Sequence, residues 1–232
     1  MEAISRLDGN FRIRILYIHP NHFPLSILEI VEQDQRFIPY FDIPFQHGSP
    51  VILNAMNRKG NAAAYLKLIK TIRGRFNDAV IRSTFLTGFP GETEEDFGLL
   101  LDFQKKARLD WMGCFTYSRE EGTAAYGMKG RVAKKTAAER KRIVEEKQIP
   151  ITEKQMDRFV HRTFDVLVEE NFSPGKDKAG EEENLYLGRL PCQAPEVDGA
   201  SVILSPRPLK LGAIVSCRVV ARTGFDLTVK PL

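Results

Sequence analysis

The feature that most constrains the fold is a regular alternation of strand-like and helix-like segments over residues 11–118. Four apolar stretches have the length and composition of strands: FRIRILYI (11–18), YFDIPF (40–45), AVIRSTFLTGFP (79–90) and WMGCFTYS (111–118). Between them apolar residues recur with helical spacing, and Asn61 stands where it would cap one of the predicted helices. Strands separated by helices of this length predict βαβ units and a parallel sheet.

Polar residues and glycines collect where the predicted strands end. They are His19 after the first strand, Gln46, His47 and Ser49 after the second, Gly88–Glu92 after the third and Tyr117–Glu121 after the fourth. Parallel sheets bind ligands at the carboxyl ends of their strands. We therefore expect these groups to meet at one mouth and to form a pocket.

The second half of the chain has a different residue pattern. Residues 131–160 are charged and helical in pattern, and Pro150 is expected to break the helix. From Thr163 onward, short β-branched runs alternate with Gly, Pro and Asp clusters, which predicts a small antiparallel barrel of about five strands. The charged stretch KDKAGEEE (176–183) is predicted to be a solvated loop. We expect an α/β domain over 1–130, a helical connection over 131–160 and a small all-β domain over 161–232.

Net charge, apolar runs and cysteine spacing limit the classes of protein to which the chain could belong. The formal net charge of +4 is too mild to identify a nucleic-acid-binding protein. No apolar run reaches the roughly 18 residues of a membrane helix, and the N-terminus lacks a signal pattern, so we expect a cytoplasmic protein without a membrane partner. The cysteines are Cys114, Cys192 and Cys217. Their number and wide spacing argue against disulfides, and we expect three buried apolar side chains.

The segment GFPGETEEDF (88–97) permits two interpretations. Its two glycines could bring the backbone close to a ligand, or they could form a tight turn before a helix that Thr93 and Asp96 cap. Glu92 could be a partner of the helix dipole or a ligand contact.

Two histidines and one arginine leave similar alternatives. His19 and His47 could act as general bases or metal ligands, or could pack at strand ends, and no Asp, Glu or Cys at familiar spacing completes a metal site. Arg119 could contact a carboxylate or a phosphate, or could be an exposed loop residue. We expect no metal ligand set in this chain.

Three ordered motifs, YFDIPFQHGS, FLTGFPGETEEDF and YSREEGT, resemble the radical S-adenosylmethionine (SAM) methylthiotransferases. The resemblance covers nearly the whole chain. It is greater to the RimO-type branch, which modifies an aspartate of a small-subunit ribosomal protein, than to the branch that modifies a tRNA adenosine. The latter tends to carry a QSGS-like first motif and a proline after YS, whereas this chain has QHGS and SRE.

The resemblance implies a partial TIM-like barrel of βα units followed by a small TRAM-type β-barrel. It also implies contacts with SAM. Gln46, His47 and Ser49 would line the SAM side of the mouth, Gly88, Phe89, Pro90 and Gly91 would pass beside the adenine, and Tyr117 and Ser118 would close the far wall.

The chain departs from the family pattern in one respect. Members hold one 4Fe–4S cluster on a CxxxCxxC loop and a second cluster on an upstream domain, and this chain has neither ligand set. It therefore looks like the C-terminal part of the enzyme, starting at the third strand of a six-strand barrel. We expect it to be inactive without upstream domains, and prone to self-association through an exposed apolar sheet edge.

Two other functions remain open from the sequence. One is a tRNA adenosine methylthiotransferase of the same family, and the other is a non-catalytic binding protein that uses its TRAM-like barrel. Acidic and basic residues are roughly balanced after residue 163, which favours a protein substrate over tRNA.

Overall fold

The computed structural model describes residues 1–172, 175–176 and 182–232. The chain divides into two compact units, Met1–Ile151 and Thr152–Leu232. Most of the KDKAGEEE stretch, for which a solvated loop is predicted, lies outside the described residues. No helix among those described combines the length and apolarity that crossing a bilayer requires.

The first unit contains the predicted parallel sheet. Its strands are β1 (Ile13–Ile15), β2 (Phe37–Asp42), β3 (Val80–Thr87) and β4 (Trp111–Thr116), and they pair in that order, all parallel. This confirms a partial parallel sheet. β1 is shorter than its predicted stretch, since Tyr17 adopts a left-handed backbone conformation (φ 59°) that ends the extended run. Self-association through the outer edge of the sheet stays a prediction.

Within the described residues, six helices accompany the strands: α1 (Glu2–Ser5), α2 (Ser26–Gln33), α3 (Pro50–Ala55), α4 (Ala62–Arg75), α5 (Glu94–Ala107) and α6 (Lys134–Asp157). The predicted caps are confirmed. Asn61 Oδ1 accepts the amide of Ala64 at 2.9 Å, and Thr93 and Asp96 form the reciprocal capping box of α5. A single core joins the helices to one face of the sheet, and its members include Leu28, Phe41, Ile69, Ile81, Phe85, Leu100 and Phe103.

The second strand lies earlier in the chain than the stretch YFDIPF suggests. Pro44 has no N–H group to donate, so regular pairing ends at Asp42. The chain nevertheless stays beside β3, because the amide of Ile43 donates to Arg82 O and that of Gln46 to Thr84 O, at 2.9 and 2.8 Å. The apolar pattern therefore locates the strand to within a few residues.

Pro150 lies inside α6 and does not break it, contrary to the prediction from the sequence. A proline in a helix interior removes one hydrogen bond and costs about 3 kcal/mol relative to alanine. Gln148 and Thr152, on either side, are buried with 5% and 2% exposure. Packing on both sides of the proline outweighs its local cost.

Replacing Pro150 with alanine should therefore stabilise the protein. We expect the free energy of unfolding to rise by about 1–2 kcal/mol, less than the full helix penalty because proline also restricts the unfolded chain. Urea titration followed by far-ultraviolet circular dichroism measures the change. Lys147→Ala, at an exposed position of the same helix, is the control and should change little. A loss of stability in Pro150→Ala would contradict this account of α6.

The second unit is a closed barrel of five strands, as predicted. Its strands are β5 (Thr163–Asn171), β7 (Glu182–Arg189), β8 (Ser201–Ser205), β9 (Ile214–Thr223) and β10 (Asp226–Pro231), and the two-residue β6 (Gly175–Lys176) pairs with β7. They follow the order β5-β9-β10-β8-β7, and β7 returns to β5. The predicted antiparallel pairing is wrong at one place, because β8 and β10 run parallel. β9 intervenes between them in the chain and runs antiparallel to β10, so β10 returns in the direction of β8.

Candidate functional site

Three of the four predicted strand-end groups come together. Gln46 forms an isolated parallel bridge with Phe85 at the end of β3, and the amide of Tyr117 donates to Thr87 O at 2.8 Å. The turns after β2, β3 and β4 therefore adjoin at one edge of the sheet. His19 is different: it lines a cavity against α4 whose lining includes none of these turn residues.

The turn after β2, which we call the QHGS turn (residues 46–49), is a buried hydrogen-bonded structure. Gln46 is half-buried and has a left-handed backbone conformation (φ 69°), whereas His47 and Ser49 are fully buried. Ser49 caps α3, and its hydroxyl donates to Asp96 Oδ1 of α5 at 2.5 Å. The polar tip of this strand thus ties the turn to the start of α5.

Gly48 lets the same turn approach α5 closely. A Cβ atom at this position would lie 2.5 Å from the carbonyl oxygen of Leu99 and 2.8 Å from the Cβ of Phe103. Any side chain here would have to displace the backbone of α5. The glycine of the motif is therefore required for packing.

The buried histidine of the QHGS turn is neutral. Its Nδ1 accepts the amide of Ser49 at 2.9 Å, so the neutral ring carries its proton on Nε2, for which the described residues offer no acceptor. Burial lowers the pKa of His47 to about 4, and Arg140 adds to the shift while Asp96 opposes it. Burial would raise the pKa of Asp96, but hydrogen bonds from Ser49 and Thr93 outweigh it and the pKa lies below its usual value.

This histidine should make folding sensitive to mild acid. Because the pKa of His47 falls from 6.5 to about 4 on folding, the unfolded chain binds more protons between these values. Stability is then complete above about pH 6.5 and should decrease by up to about 3 kcal/mol as the pH falls to 4.

Urea unfolding at a series of pH values measures this loss. His47→Asn keeps an acceptor for the Ser49 amide but does not titrate, and it should remove most of the pH dependence. His161→Asn makes the same substitution at an exposed position outside the turn and serves as the control. An unchanged acid sensitivity in His47→Asn would contradict the assignment.

The turn after β3, which we call the GFPGE turn (residues 88–92), is held by Glu92. One carboxylate oxygen, Oε2, accepts the amides of Gly88 and Phe89, the latter at 3.1 Å. Glu92 is 5% exposed, and burial raises its pKa although Arg140 and these amides act in the opposite direction. Neither sequence interpretation anticipated this role: Glu92 fixes its own turn.

Arg140 of α6 contacts the GFPGE turn from outside. Its guanidinium lies 3.1 Å from Glu92 Oε1, donates to the main-chain oxygen of Glu92 at 3.1 Å and reaches Glu94. The Thr87 hydroxyl also donates to Ala137 O at 3.1 Å, and Gly91 N to Gly130 O at 2.8 Å. Sequence reasoning missed Arg140, since no local pattern connects it to a turn 48 positions away.

An aromatic pair spans the turns after β3 and β4. The rings of Phe89 and Tyr117 meet edge to face with centroids 5.3 Å apart, and the Tyr117 hydroxyl has no hydrogen-bond partner among the described residues. Pro90 is buried, Gly91 is exposed, and Ser118 is exposed with its hydroxyl on Glu120 at 2.6 Å. The guanidinium of Arg119 stacks on Tyr126. This part of the edge therefore offers the partly exposed Tyr117, with its unpaired hydroxyl, packed on the buried ring of Phe89.

The sheet face opposite the helices carries charged residues that sequence reasoning also missed. Side chains alternate along β3, so Ile81 and Phe85 face the helices and Arg82 points the other way. Arg82 pairs there with Asp42 at 3.3 Å, and Arg14 lies over the ring of Tyr40 at 4.8 Å. Burial raises the pKa of Asp42 despite this pairing. In a barrel, this face would be the interior.

The described residues do not fit an iron–sulfur cluster. They contain no group of three or more His, Cys, Asp or Glu side chains that could hold a metal ion. The cysteines are free and buried, as predicted, and burial raises the thiol pKa of Cys114 to about 12 and that of Cys217 to about 11. Cysteines bind a cluster as thiolates, and these raised pKa values keep the thiols of Cys114 and Cys217 protonated.

Comparison with known proteins first defines a class. The model of the radical SAM superfamily matches residues 1–103, and that of the TRAM domain matches residues 160–231. Among solved structures, coproporphyrinogen III oxidase (HemN) from Escherichia coli resembles the chain with a TM-score of 0.49 and 17% identity, over 62% of this chain and 32% of that one. That structural likeness is too weak to add to the assignment. The two family models together describe a protein with a radical SAM domain and a TRAM domain.

The curated relatives share one name. A relative from Treponema denticola, named ribosomal protein uS12 methylthiotransferase RimO, is 49% identical over 98% of this chain and 51% of its own length. Relatives with the same name are 38% identical in Pseudothermotoga lettingae, over 98% of this chain and 50% of theirs, and 41% identical in Thermosipho africanus, over 86% and 44%. Over nearly its whole length the chain is similar to RimO-type radical SAM methylthiotransferases, and it spans about half the length of the relatives it matches.

Proposed function

We propose that this chain is the SAM-binding and TRAM-bearing part of a cytoplasmic enzyme that methylthiolates an aspartate of ribosomal protein uS12. The observation that carries the proposal is the junction of three motif turns at one edge of a parallel sheet. It occurs in a chain that is 49% identical to a protein named for that activity. Parallel sheets bind ligands at this edge.

The residues at the edge have chemistry that suits SAM. Tyr117 offers aromatic surface for the adenine, with the buried ring of Phe89 packed behind it, and the unpaired Tyr117 hydroxyl could bond a polar group of the ligand. Gln46 is the member of its turn whose side chain is partly exposed. We assign to Tyr117 and Gln46 the direct contacts, with Gly88–Gly91 and Ser118 bordering them. In this family the bound cofactor is the source of the radical.

The buried polar residues have a different part in this proposal. His47 and Ser49 keep the QHGS turn against α5, and Glu92 keeps the GFPGE turn closed. Their side chains orient the two turns, and both turns must be in place before a ligand can span them. When the protein holds the two turns in place before the ligand arrives, less of the ligand's binding energy is spent on ordering them.

The iron–sulfur clusters of the family must come from outside the described residues. We propose upstream domains as the partners that provide the cluster ligands, and we expect the chain alone to be inactive. SAM should bind weakly to the isolated chain, because in the family its amino and carboxylate groups bind a cluster iron.

The test is a chimera that joins this chain to the part of the Treponema denticola relative which the match leaves uncovered. Reconstituted with clusters and supplied with SAM, a sulfur source and reductant, it should add a methylthio group to one aspartate of uS12. Peptide mass spectrometry detects the product, and the chain alone is the control. A modified adenosine in tRNA from the same reaction would overturn the substrate assignment. No modification of either substrate by a chimera with loaded clusters would favour a non-catalytic binding protein.

A further inference from the structure

The cavity that His19 lines lies in the first unit, between the segment that follows β1 and helix α4. Its volume is about 830 Å³, which is in the range of roughly 300–1,000 Å³ that small-molecule sites occupy. Its lining shares no residue with the QHGS or GFPGE turns. The methylthiotransferase proposal gives it no role.

The lining combines an apolar surface with basic groups. The apolar part of the lining is formed by three partly or fully buried side chains, Phe23 from the segment after β1 and Tyr65 and Leu68 from α4. Two exposed lysines, Lys59 and Lys67, lie at the margin of the cavity. His19 and His22 also line the cavity. No Asp or Glu lines the cavity, and neither lysine forms a salt bridge within the described part of the chain.

Arg58, which lies behind the lining, carries the same sign of charge as the two lysines. After burial, the causes that lower the pKa of His19 are Arg58 and His22, both basic. Arg58 itself donates to the carbonyl of Pro44 at 3.0 Å, which keeps it behind the cavity wall. The cavity is therefore a region of positive potential without an internal counter-charge.

A buried donor points to a ligand at the same place. Tyr65 is only 3% exposed, and its hydroxyl has no hydrogen-bond partner among the described residues. The hydroxyl lies against Gly60, also part of the lining, where an added Cβ would be 2.3 Å from the oxygen. Unpaired buried hydroxyls are costly, and an acceptor that reached this side of the cavity would remove the cost.

We propose that this cavity binds an organic anion, whose apolar body packs on Phe23, Tyr65 and Leu68 and whose carboxylate or phosphate group is held by Lys59 and Lys67. This site is separate from the SAM edge and does not depend on the proposed methylthiotransfer. Two probes with one shared apolar body and opposite charge, naphthalene-2-sulfonate and naphthalen-2-ylmethylammonium, test the sign of the charge that it accepts.

Titration calorimetry of the full 232-residue chain should show the sulfonate binding at least about tenfold more tightly than the ammonium, since tenfold corresponds to only about 1.4 kcal/mol. The double variant Lys59→Glu/Lys67→Glu should lose about tenfold or more in sulfonate affinity. Lys70→Glu, an exposed lysine of the same helix outside this cavity, is the charge control and should change the affinity much less. Equal affinity for the two probes would overturn the proposal.

A steric variant tests the location independently of charge. Ala64 lines the cavity and is exposed, so Ala64→Phe should obstruct it without disturbing the core, whereas Ala63→Phe places the same ring on the exposed residue before it. We expect Ala64→Phe to weaken sulfonate binding by about tenfold and Ala63→Phe to leave it unchanged. Sulfonate binding that survives both Ala64→Phe and the lysine reversal would place the anion elsewhere and contradict the assignment.

Discussion

Replacing Glu92 with alanine should destabilise the first unit by about 3–5 kcal/mol. The substitution leaves the Arg140 guanidinium, whose side chain is 6% exposed, without its buried counter-charge, and it removes the acceptor for two turn amides. Breaking a buried ion pair from one side is costly for this reason. Glu92→Gln keeps the volume and one oxygen acceptor and should cost less, about 1–3 kcal/mol. Urea unfolding measures both losses.

Glu94 provides a matched control for the same arginine. It also contacts Arg140, but its side chain is 81% exposed, so Glu94→Ala should cost less than about 1 kcal/mol. If Glu94→Ala and Glu92→Ala cost the same, burial of the Glu92 pair would not be what holds the GFPGE turn. Both carboxylates contact one guanidinium, so the comparison tests the effect of burial, and Glu92→Gln, which keeps an oxygen acceptor, separates the contribution of the two turn amides.

Replacing Gly88 with alanine should cost about 3 kcal/mol, well above the effect of the same change at Gly91. Both glycines have left-handed backbone conformations, with φ of 76° and 89°. A Cβ at Gly88 would also lie 2.3 Å from the Cβ of Ala137, whereas no atom of the described residues, apart from the two chain neighbours, lies within 4 Å of one at Gly91. Gly91→Ala should therefore cost only the conformational strain, about 1 kcal/mol.

A second-site change separates the clash from the strain. Ala137→Gly removes the Cβ that a side chain at position 88 would meet, although it costs about 1 kcal/mol by itself in a helix. The double variant should recover about 1–2 kcal/mol relative to the sum of the single changes. Thermal or urea unfolding of the four proteins completes the cycle. If the changes in unfolding free energy were strictly additive, a side chain at position 88 would not clash with Ala137 of α6.

The parallel sheet and its helices could be predicted because their signals are local. Asn61 and Thr93 cap the helices that follow them directly, and apolar periodicity marks the buried faces. The predictions failed where a distant part of the chain decides the outcome. Packing around Pro150 outweighs its helix-breaking tendency, and the parallel pairing of β8 with β10 depends on the path of β9.

The same distinction between local and distant signals applies to the candidate site. Motif residues at strand ends could be located from the sequence, since a strand must end where Gly and polar residues cluster. The partners that hold them could not, because the pairs are remote in sequence: Ser49 with Asp96, and Glu92 with Arg140. His47 illustrates the consequence. Its position beside Gln46 and Ser49 suggests a reactive group, while the structure buries it completely as a neutral acceptor.

The most direct test of the central claim is hydrogen exchange of the cluster-loaded chimera with and without S-adenosylhomocysteine, a non-reacting analogue of SAM. If the turns after β2, β3 and β4 form the SAM site together, protection should rise in residues 43–49, 85–92 and 115–119 and remain unchanged around residues 19–23 and 59–71. Protection confined to the latter two segments, or a rise in only one of the three turns, would contradict the claim that they act as one site.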